Sequence, residues 1–325
     1  MVANGERITA FADRMILNYT GLKTAASLQT NFIGVRLKGR GRDMKTTGLF
    51  TVHEFTIHIN SINDTIYLYP IGDIHKYAPL HASERWTEFL DKVKSRGNKA
   101  YIFGMGDYMD FMSSSERSNF TKSEFHDSTV HRLDKMADDD VAGLYKDLKF
   151  AEGRVIGLVE GNHYYQFNRG ETSTQTLCRL LNTKYLGVAT FTRLRFVHKK
   201  HFAVMDVFAH HGKGAARLLG GSLNRVQQMA ESAEADIYLM GHDHKGPVGK
   251  NPRLRLSRVK ENLAVVERPQ LFARTGSFLR GYVDGEVSYV ADGCMNPANL
   301  GGTEISFTFG RPGSESLKVD VHATI

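Results

Sequence analysis

The stretch Tyr67-Leu-Tyr-Pro-Ile-Gly-Asp-Ile-His75 joins an apolar run to two polar side chains that follow it directly. The run predicts a strand, and residues two apart in an extended segment point to the same side. Asp73 and His75 therefore leave the end of this predicted strand together. A carboxylate and an imidazole are both metal ligands, and neither fits an apolar core without a partner. Alone, an Asp-x-His pair is only a weak indication of a metal site.

The same pattern, an apolar strand followed by ligand-type residues, recurs four more times downstream. Predicted strands at 100–103, 155–159, 202–209 and 236–240 are followed by Asp107 with Asp110, Asn162 with His163, His210 with His211, and His242 with His244. In α/β sheets the loops at the carboxyl ends of strands build the active site, so we expect these side chains to converge. The set is too rich for one tetrahedral zinc and suits two metal ions. Each piece alone reads as an ordinary turn or strand end, but all five together do not.

Five motifs carry a resemblance to a known family: Gly72-Asp73-x-His75, Gly106-Asp107-x-x-Asp110, Gly161-Asn162-His163, His211-Gly212 and Gly241-His242-x-His244. In this order they resemble the motifs of the calcineurin-like metallophosphoesterase superfamily, and the resemblance covers residues 66–245. It implies an α/β fold of four layers, in which two mixed β-sheets are flanked by helices. It also implies a centre of two divalent metal ions, drawn from manganese, iron, zinc and nickel, with manganese favoured.

The resemblance also implies a role for each residue of the motifs. One ion would be held by Asp73, His75 and His244, and the other by Asn162, His211 and His242. The carboxylate of Asp107 would bridge the two ions. His163 resembles the family's catalytic histidine near the leaving group, and Asp110 resembles its partner.

Two adjacent histidines leave the fourth motif open. His210 and His211 face different ways in an extended strand, so only one of them can be the ligand. We prefer His211, because the sequence His-Gly-x-Gly begins with it, and His210 is the alternative.

Two positions depart from the family pattern. Phe111 and Tyr164 stand where the protein Ser/Thr phosphatase branch has Arg and Glu, which argues against protein phosphatase activity. Further along the chain, the segment 275–282 (Thr-Gly-Ser-Phe-Leu-Arg-Gly-Tyr) resembles segments of metallophosphoesterases of phage and bacterial origin.

The implied activity is hydrolysis of a phosphomonoester or phosphodiester by a hydroxide that bridges the two ions. A pair of ions about 3.5–4 Å apart can clamp a phosphoryl group. A protonated His163 would give its proton to the leaving oxygen, the work of a general acid.

Three functions compete. The net charge of +7 and pI of about 9.2 favour a polyanionic substrate, which indicates a nuclease or another phosphodiesterase acting on nucleic acid or nucleotides. A small-molecule phosphatase without a nucleic-acid role is favoured by the lack of a recognisable nucleic-acid-binding domain. A non-catalytic, metal-stabilised interaction module is the third hypothesis, and the intact ligand set argues against it.

Composition sets the remaining limits. The 325 residues suit one large α/β domain or two modest ones, and no run of 18 apolar residues predicts a membrane span. The N-terminus lacks an apolar core, so we expect no signal peptide and a cytoplasmic protein. Two cysteines, Cys178 and Cys294, cannot form a disulfide framework. The sequence does not determine the oligomeric state.

The domain organisation follows from composition shifts along the chain. Residues 1–48 predict a helical N-terminal arm and a basic linker, whose cations are Arg36, Lys38, Arg40, Arg42 and Lys45. Residues 49–325 predict the metallophosphoesterase domain, with an insertion at about 111–150 and a β-rich C-terminal part. Within this domain, 50–58 and 65–71 predict a hairpin, and 83–94 predict a helix capped by Ser83. Shorter strands are predicted at 263–266, 271–275, 303–309 and 317–321.

Overall fold

Two mixed β-sheets stacked on each other, with helices on both outer faces, form the architecture. The structure is a computed structural model, and it describes residues 50–119, 125–259, 261–310 and 317–324. The predicted α/β fold of two mixed sheets flanked by helices is confirmed within these ranges. The predicted N-terminal arm and basic linker, residues 1–48, lie outside them. No helix in the described part is long and apolar enough to span a membrane.

Thirteen strands are assigned in the described ranges. In chain order they are β1 (Thr51–His58), β2 (Ile66–Ile71), β3 (Ala100–Gly104), β4 (Val155–Leu158), β5 (Ala189–His198), β6 (His201–His210), β7 (Ile237–Met240), β8 (Val248–Val259), β9 (Asn262–Arg274), β10 (Gly276–Ser277), β11 (Gly301–Gly302), β12 (Glu304–Gly310) and β13 (Lys318–Thr324). The helices are α1 (Ser83–Ser95), α2 (Ser114–Asn119), α3 (Asp127–Leu148), α4 (Ser173–Leu180), α5 (Leu219–Ser232) and α6 (Tyr289–Asp292). The predicted insertion at 111–150 contains α2 and α3.

Each sheet has a parallel part, and these parts position the site. The five-stranded sheet has the order β13-β12-β2-β3-β4, in which β2, β3 and β4 are parallel. The six-stranded sheet has the order β1-β5-β6-β7-β9-β8, in which β6, β7 and β9 are parallel. Strands β10 and β11 form a small separate ladder. The motif-bearing strands are therefore neighbours within each sheet, as convergence of their ends requires.

The main core lies between the two sheets. Leu68, Phe103 and Phe307 of the five-stranded sheet and Val207 and Leu239 of the six-stranded sheet belong to one buried apolar cluster. Strands of this kind bury alternate side chains on the inner face, and the outer faces need helices to cover them. The sequence supplies those helices between the strands.

The helices bury regularly spaced apolar side chains against the outer faces. In α1 these are Trp86, Phe89, Leu90 and Val93, which fall on one face of a helix with 3.6 residues per turn. On the other side, Val226 of α5 packs in a cluster with residues of β6, β7 and β9. Helix α4 begins with a capping box, since the hydroxyl of Thr172 accepts from the backbone N–H of Gln175 while Gln175 bonds back.

The structure corrects several local predictions. Residues 50–58 and 65–71 do not form a hairpin, because β1 pairs with β5 in one sheet and β2 with β3 and β12 in the other. Ala82, not Ser83, occupies the N-cap of α1. Strands β5 and β8 were not predicted, and the predicted strands at 263–266 and 271–275 belong to one long strand, β9. Alternation marks a strand but not its partner, and these partners are distant in sequence.

Candidate metal centre

The ends of five parallel strands meet at one edge of the sandwich. Strands β2, β3 and β4 of one sheet and β6 and β7 of the other each end just before a predicted site residue. The structure gathers these side chains into groups that could hold a metal ion: Asp73, His75 and His244; Asp107, His211 and His242; and His75, Asp110 and His163. Within each group the potential ligand atoms all lie within 4.8 Å of one another.

The first group joins the end of β2 to the end of β7. Asp73, His75 and His244 are almost fully buried, and Nε2 of His244 lies 3.8 Å from Oδ1 of Asp73. Nε2 of His75 is buried and has no hydrogen-bond partner among the described residues. A buried polar atom without a partner is costly, and a metal ion would satisfy it.

The second group joins β3, β4, β6 and β7. The amide oxygen of Asn162 lies 3.0 Å from Nε2 of His211 and 2.8 Å from Nδ1 of His242, so Asn162 completes this group. Oδ2 of Asp107 lies 3.1 Å from Nε2 of His211 and 3.9 Å from Nε2 of His75. One carboxylate oxygen thus approaches a member of each group, which is the position that a bridging ligand requires.

The two adjacent histidines at the end of β6 have different surroundings. His211 is buried and donates from Nδ1 to the carbonyl oxygen of Met105, which leaves Nε2 for the second group. Nδ1 of His210 accepts from the backbone N–H of Gly212, and His210 belongs to none of the three groups. Of the two alternatives, the structure brings His211 to the site.

Asp110 and His163 lie beside the first group. Oδ1 of Asp110 is 2.8 Å from Nδ1 of His75 but 3.5 Å from Nδ1 of His163. His163 instead donates from Nδ1 to the carbonyl oxygen of Phe111, at 2.9 Å. Asp110 therefore makes two contacts with histidines. The predicted contact with His163 is the longer one, and the shorter contact orients His75. In the third group Asp110 is hydrogen-bonded to His75, which also belongs to the first group.

The backbone at the site is strained. Five predicted ligands have a positive φ, which side chains with a Cβ rarely adopt: Asp73, His75, Asp107, His242 and His244. Such conformations cost roughly 1–3 kcal/mol each and persist where the surrounding structure enforces them, often at functional sites.

Two glycines allow the strand ends to approach closely. A Cβ on Gly161 would lie 2.1 Å from Oδ1 of Asp107, and a Cβ on Gly106 would lie 2.5 Å from Nδ1 of His211. Neither position tolerates a side chain without displacing a predicted ligand. The Gly-Asp and Gly-Asn-His sequences therefore reflect packing as well as chemistry.

Burial and neighbouring charges shift the pKa values of the cluster apart. Burial alone would raise the pKa of Asp107, but the positive charge of His211 outweighs it and the pKa falls well below its usual range. Burial disfavours the charged form of His211, but the neighbouring charge of Asp107 favours it more strongly. The pKa of His211 therefore rises to about 9. Burial, with the charge of Asp107, raises the pKa of Asp73 to about 6.

Two other imidazoles are held neutral. Burial and the charge of His211 lower the pKa of His242 to about 4, and burial and the charge of His75 lower the pKa of His244 well below its usual value. A neutral imidazole is the form that binds a metal ion.

The donor set fits a pair of divalent metal ions. It consists of imidazole nitrogens, carboxylate oxygens and one amide oxygen, which suit manganese, iron, zinc or nickel rather than the softer ions that prefer thiolates. Cys178 is buried in the core under the helices and Cys294 is exposed, so neither described cysteine belongs to the groups. The unpartnered Nε2 of His75 agrees with this fit. As metal ligands, the named residues stay predictions.

The segment after β9 supports Asp73, a role that the sequence did not reveal. The hydroxyl of Thr275 donates to Oδ2 of Asp73, and the hydroxyl of Ser277 donates to its backbone oxygen. The backbone N–H of His242 donates to the same carboxylate. The segment 275–282 therefore fixes the first ligand and contributes to the wall of the site.

A buried ion pair holds the turn that carries His242 and His244. Arg274 is 1% exposed, lies 3.2 Å from Asp243, and donates to the carbonyl oxygens of Ser222 and Gly241. The hydroxyl of Ser222 also donates to Asp243. The pair joins α5, β9 and the turn after β7.

Arg117 of α2 supports the turn that carries Asn162. Its guanidinium donates to the carbonyl oxygens of Asn162 and Tyr164, at 2.8 and 3.0 Å, and lies over the ring of Tyr164. Tyr164, one of the two departures from the resemblance, thus has a structural partner in α2. Phe111, the other departure, packs on the ring of Tyr165.

A cavity of about 720 Å³ opens directly beside the ligand groups. Its wall includes His75, Asp107, His163 and His244 and residues of the segment that contains α6. The volume is in the usual range for small-molecule sites.

Comparisons with known proteins add little to this geometry. No family model matches the sequence, and no curated protein matches it. A solved structure, the crystal structure of Chaetomium thermophilum Vps29, is similar at 10% sequence identity and a TM-score of 0.32, over 80% of this chain and 95% of that chain. A similarity this distant supports no conclusion about function.

Replacing Arg274 tests the buried ion pair. Arg274→Met leaves Asp243 as a buried charge without its partner, which destabilises by about 3–5 kcal/mol. Denaturant unfolding of the metal-free protein measures this loss. The control is Arg280→Met, since Arg280 pairs with Glu84 at a more exposed position and should cost less than about 1 kcal/mol. Equal small losses would show that the pair does not hold the turn.

Replacing the adjacent histidines tests the second group. His211→Ala should reduce the bound manganese by about one ion per chain, because it removes a ligand from the second group. His210→Ala should keep the metal content of the parent. Elemental analysis after gel filtration measures both, and the reverse pattern would assign the ligand to His210.

Proposed function

We propose that the chain is a phosphoesterase that uses two divalent metal ions, with manganese as the favoured ion. The observation that carries this proposal is a pair of ligand groups beside an open cavity, with the carboxylate of Asp107 close to a histidine of each group. The motif order that resembles the calcineurin-like metallophosphoesterase superfamily supports the same class of activity.

The ligands divide between the two ions as the groups do. Asp73, His75 and His244 would hold one ion, and Asn162, His211 and His242 would hold the other, while Asp107 lies between the two groups. Bound there, two divalent ions would polarise a phosphoryl group and activate water for attack on phosphorus.

His163 is the general acid in this proposal. It lines the cavity, and its side chain is partly exposed at 24%. The carbonyl oxygen of Phe111 only accepts, so Nδ1 of His163 carries a proton and Nε2 is left to exchange one with the substrate. Proton donation to the leaving oxygen needs such a group within hydrogen-bond reach.

Asp110 acts through His75. A carboxylate on Nδ1 of a ligating histidine fixes its tautomer and ring orientation, and the bond between Asp110 and His75 leaves Nε2 of His75 to face a bound ion. Asp110 is therefore a positioning residue for the first ion and a weaker partner of His163.

The cavity favours a small phosphoester with a partly apolar organic group. Beyond the ligands its wall includes Leu80, Leu279, Val290 and Met295. Its cations have partners already, because Lys245 donates to the carbonyl oxygen of Ala216 and Arg280 pairs with Glu84. Glu116 and Glu286 add negative charge at the same cavity, which disfavours a long polyanion.

Hydrolysis of nucleic acid is the second candidate, and the net charge of +7 favours it. The basic segment at 36–45 that would contact a phosphate backbone lies outside the described residues. An assay that offers small phosphoesters and DNA to the same manganese-loaded protein separates the small-molecule phosphoesterase from the nuclease.

The proposal predicts two manganese ions per chain and a chelator-sensitive hydrolase. We expect the loaded protein to hydrolyse nitrophenyl phosphate or bis-nitrophenyl phosphate faster than single- or double-stranded DNA. Elemental analysis and the four rates measure this. Fewer than two ions contradict the paired centre, faster cleavage of DNA favours the nuclease, and two ions without hydrolysis favour the non-catalytic module.

His163→Asn should keep both ions and lose about 10²–10⁴ in rate, the usual scale for a lost general acid. The loss should shrink as the leaving group becomes more acidic, since such groups need little protonation. Asp110→Asn is the matched comparison, and it should weaken manganese binding by about 10–100-fold through His75. A loss for His163→Asn that is the same for every leaving group would remove the acid role.

A further inference from the structure

Strands β8 and β9 form a long ribbon that extends beyond the residues of β9 that pair with the rest of the six-stranded sheet. Only Leu271 to Arg274 of β9 pair with β7, while β8 and β9 pair along their whole length. The nine residues of β9 before Leu271 therefore run on for about 30 Å at the usual rise per residue. They extend away from the metal centre, because β7 and β9 are parallel and the centre lies at the carboxyl end of β7.

One face of this ribbon is exposed and largely apolar. Residues directly opposite each other in an antiparallel pair share a face, and three such pairs form it from base to tip. The pairs are Leu254 with Glu267, Leu256 with Val265, and Arg258 with Leu263. All six side chains are exposed, and the four apolar ones are between 64% and 75% exposed. Contiguous exposed apolar side chains of this kind mark candidate interaction sites.

The opposite face of the ribbon differs in both burial and charge. Its residues Ser257, Ala264 and Val266 are partly buried. Arg268 on this face bonds Asp236 at 2.6 Å and approaches Glu234 at 3.6 Å. Its basic charge is thus partly neutralised within the chain, which disfavours a nucleic-acid backbone as the main partner of the ribbon.

The exposed face continues the inner face of the six-stranded sheet. Leu271 and Ala273 of β9 are an even number of residues from Leu263 and Val265, so all four point to the same side of the strand. Leu271 and Ala273 lie in the core between the two sheets. Near the base, Lys250 of β8 bonds the carbonyl oxygen of Val321 in the five-stranded sheet. Farther out the face is exposed, so among the described residues this inner sheet face has no second layer.

We propose that the ribbon of a second copy of this chain supplies that layer, with the two ribbons packed face to face and antiparallel. A twofold axis across the central pair, Leu256 with Val265, places the base of one ribbon over the tip of the other. Leu254 and Glu267 then face the pair formed by the partner's Arg258 and the partner's Leu263.

The order of side chains along the face is self-complementary. Strand β8 then lies over the partner's β8, so Glu267 comes within reach of the partner's Arg258 along one diagonal, and Leu254 contacts the partner's Leu263 along the other. The symmetry makes each contact twice, as a twofold interface requires. Within one chain Arg258 and Glu267 lie two pairs apart on the same face, so an ion pair between them belongs to the dimer.

Six side chains per copy bury on the order of 1,000 Å² in total, at the low end for specific interfaces. We therefore expect a dimer with a dissociation constant on the order of micromolar.

A charge exchange tests the dimer. Sedimentation velocity of the full chain from about 1 to 100 µM should show a monomer–dimer equilibrium. Arg258→Glu and Glu267→Arg should each weaken it about tenfold or more, because each places like charges opposite one another. The variant that carries both changes should return to within about threefold of the parent.

Two further variants separate the contact from a folding effect. Leu256→Ser should also weaken the dimer about tenfold, and its thermal unfolding should match the parent because the side chain is exposed. Arg253→Glu, on the opposite face of the ribbon, should leave the dimer unchanged.

Several results would overturn the proposal. They are a parent that stays monomeric over the whole range, a dimer that Leu256→Ser does not weaken, or a double charge exchange that restores nothing. A monomeric parent whose DNA binding falls in a salt-dependent way with Arg253→Glu would assign the ribbon to nucleic acid instead.

Discussion

The carboxylate of Asp107 is the contact on which the site depends. Oδ1 accepts the backbone N–H groups of Asn162 and His163, at 2.7 and 2.8 Å, and Oδ2 approaches His211 of the other sheet. One side chain at the end of β3 therefore sets the separation of three strand ends. Position 161 is a glycine for the same reason, since a Cβ on Gly161 would displace the carboxylate of Asp107. The rest of the site is arranged around that fixed point.

This arrangement crowds ionisable side chains together, which is unfavourable. Several buried carboxylates and imidazoles share a small volume, and burial penalises every charged form. The chain partly relieves this with its own groups: Asp107 raises the pKa of His211, whereas burial lowers the pKa values of His242 and His244. An outer set of contacts, from Thr275 to Asp73, from Arg274 to Asp243 and from Asp110 to His75, then limits how far the ligands can move.

The sequence predicted the strand ends because each combines an apolar run with polar residues at its end. Those signals are local, and the two-sheet fold with helices on both faces is confirmed. It did not predict that β1 pairs with β5, since alternation identifies a strand without identifying its neighbour. Nor did it identify Arg117 or Arg274, because an isolated arginine gives no sign that its partners, the turn at Asn162 or the turn at Asp243, lie far along the chain. Side chains that support ligands over long sequence separations carry no local pattern.

Each ligand group takes residues from both sheets, which gives a bound ion a mechanical role. Asp73 and His75 belong to the five-stranded sheet and His244 to the six-stranded one, and the second group divides in the same way. An ion bound to either group would act as a cross-link between the layers and would restrict sliding of one against the other. Its binding energy would add to folding energy through linkage. Metal supply would then govern how long the folded protein survives as well as how fast it works.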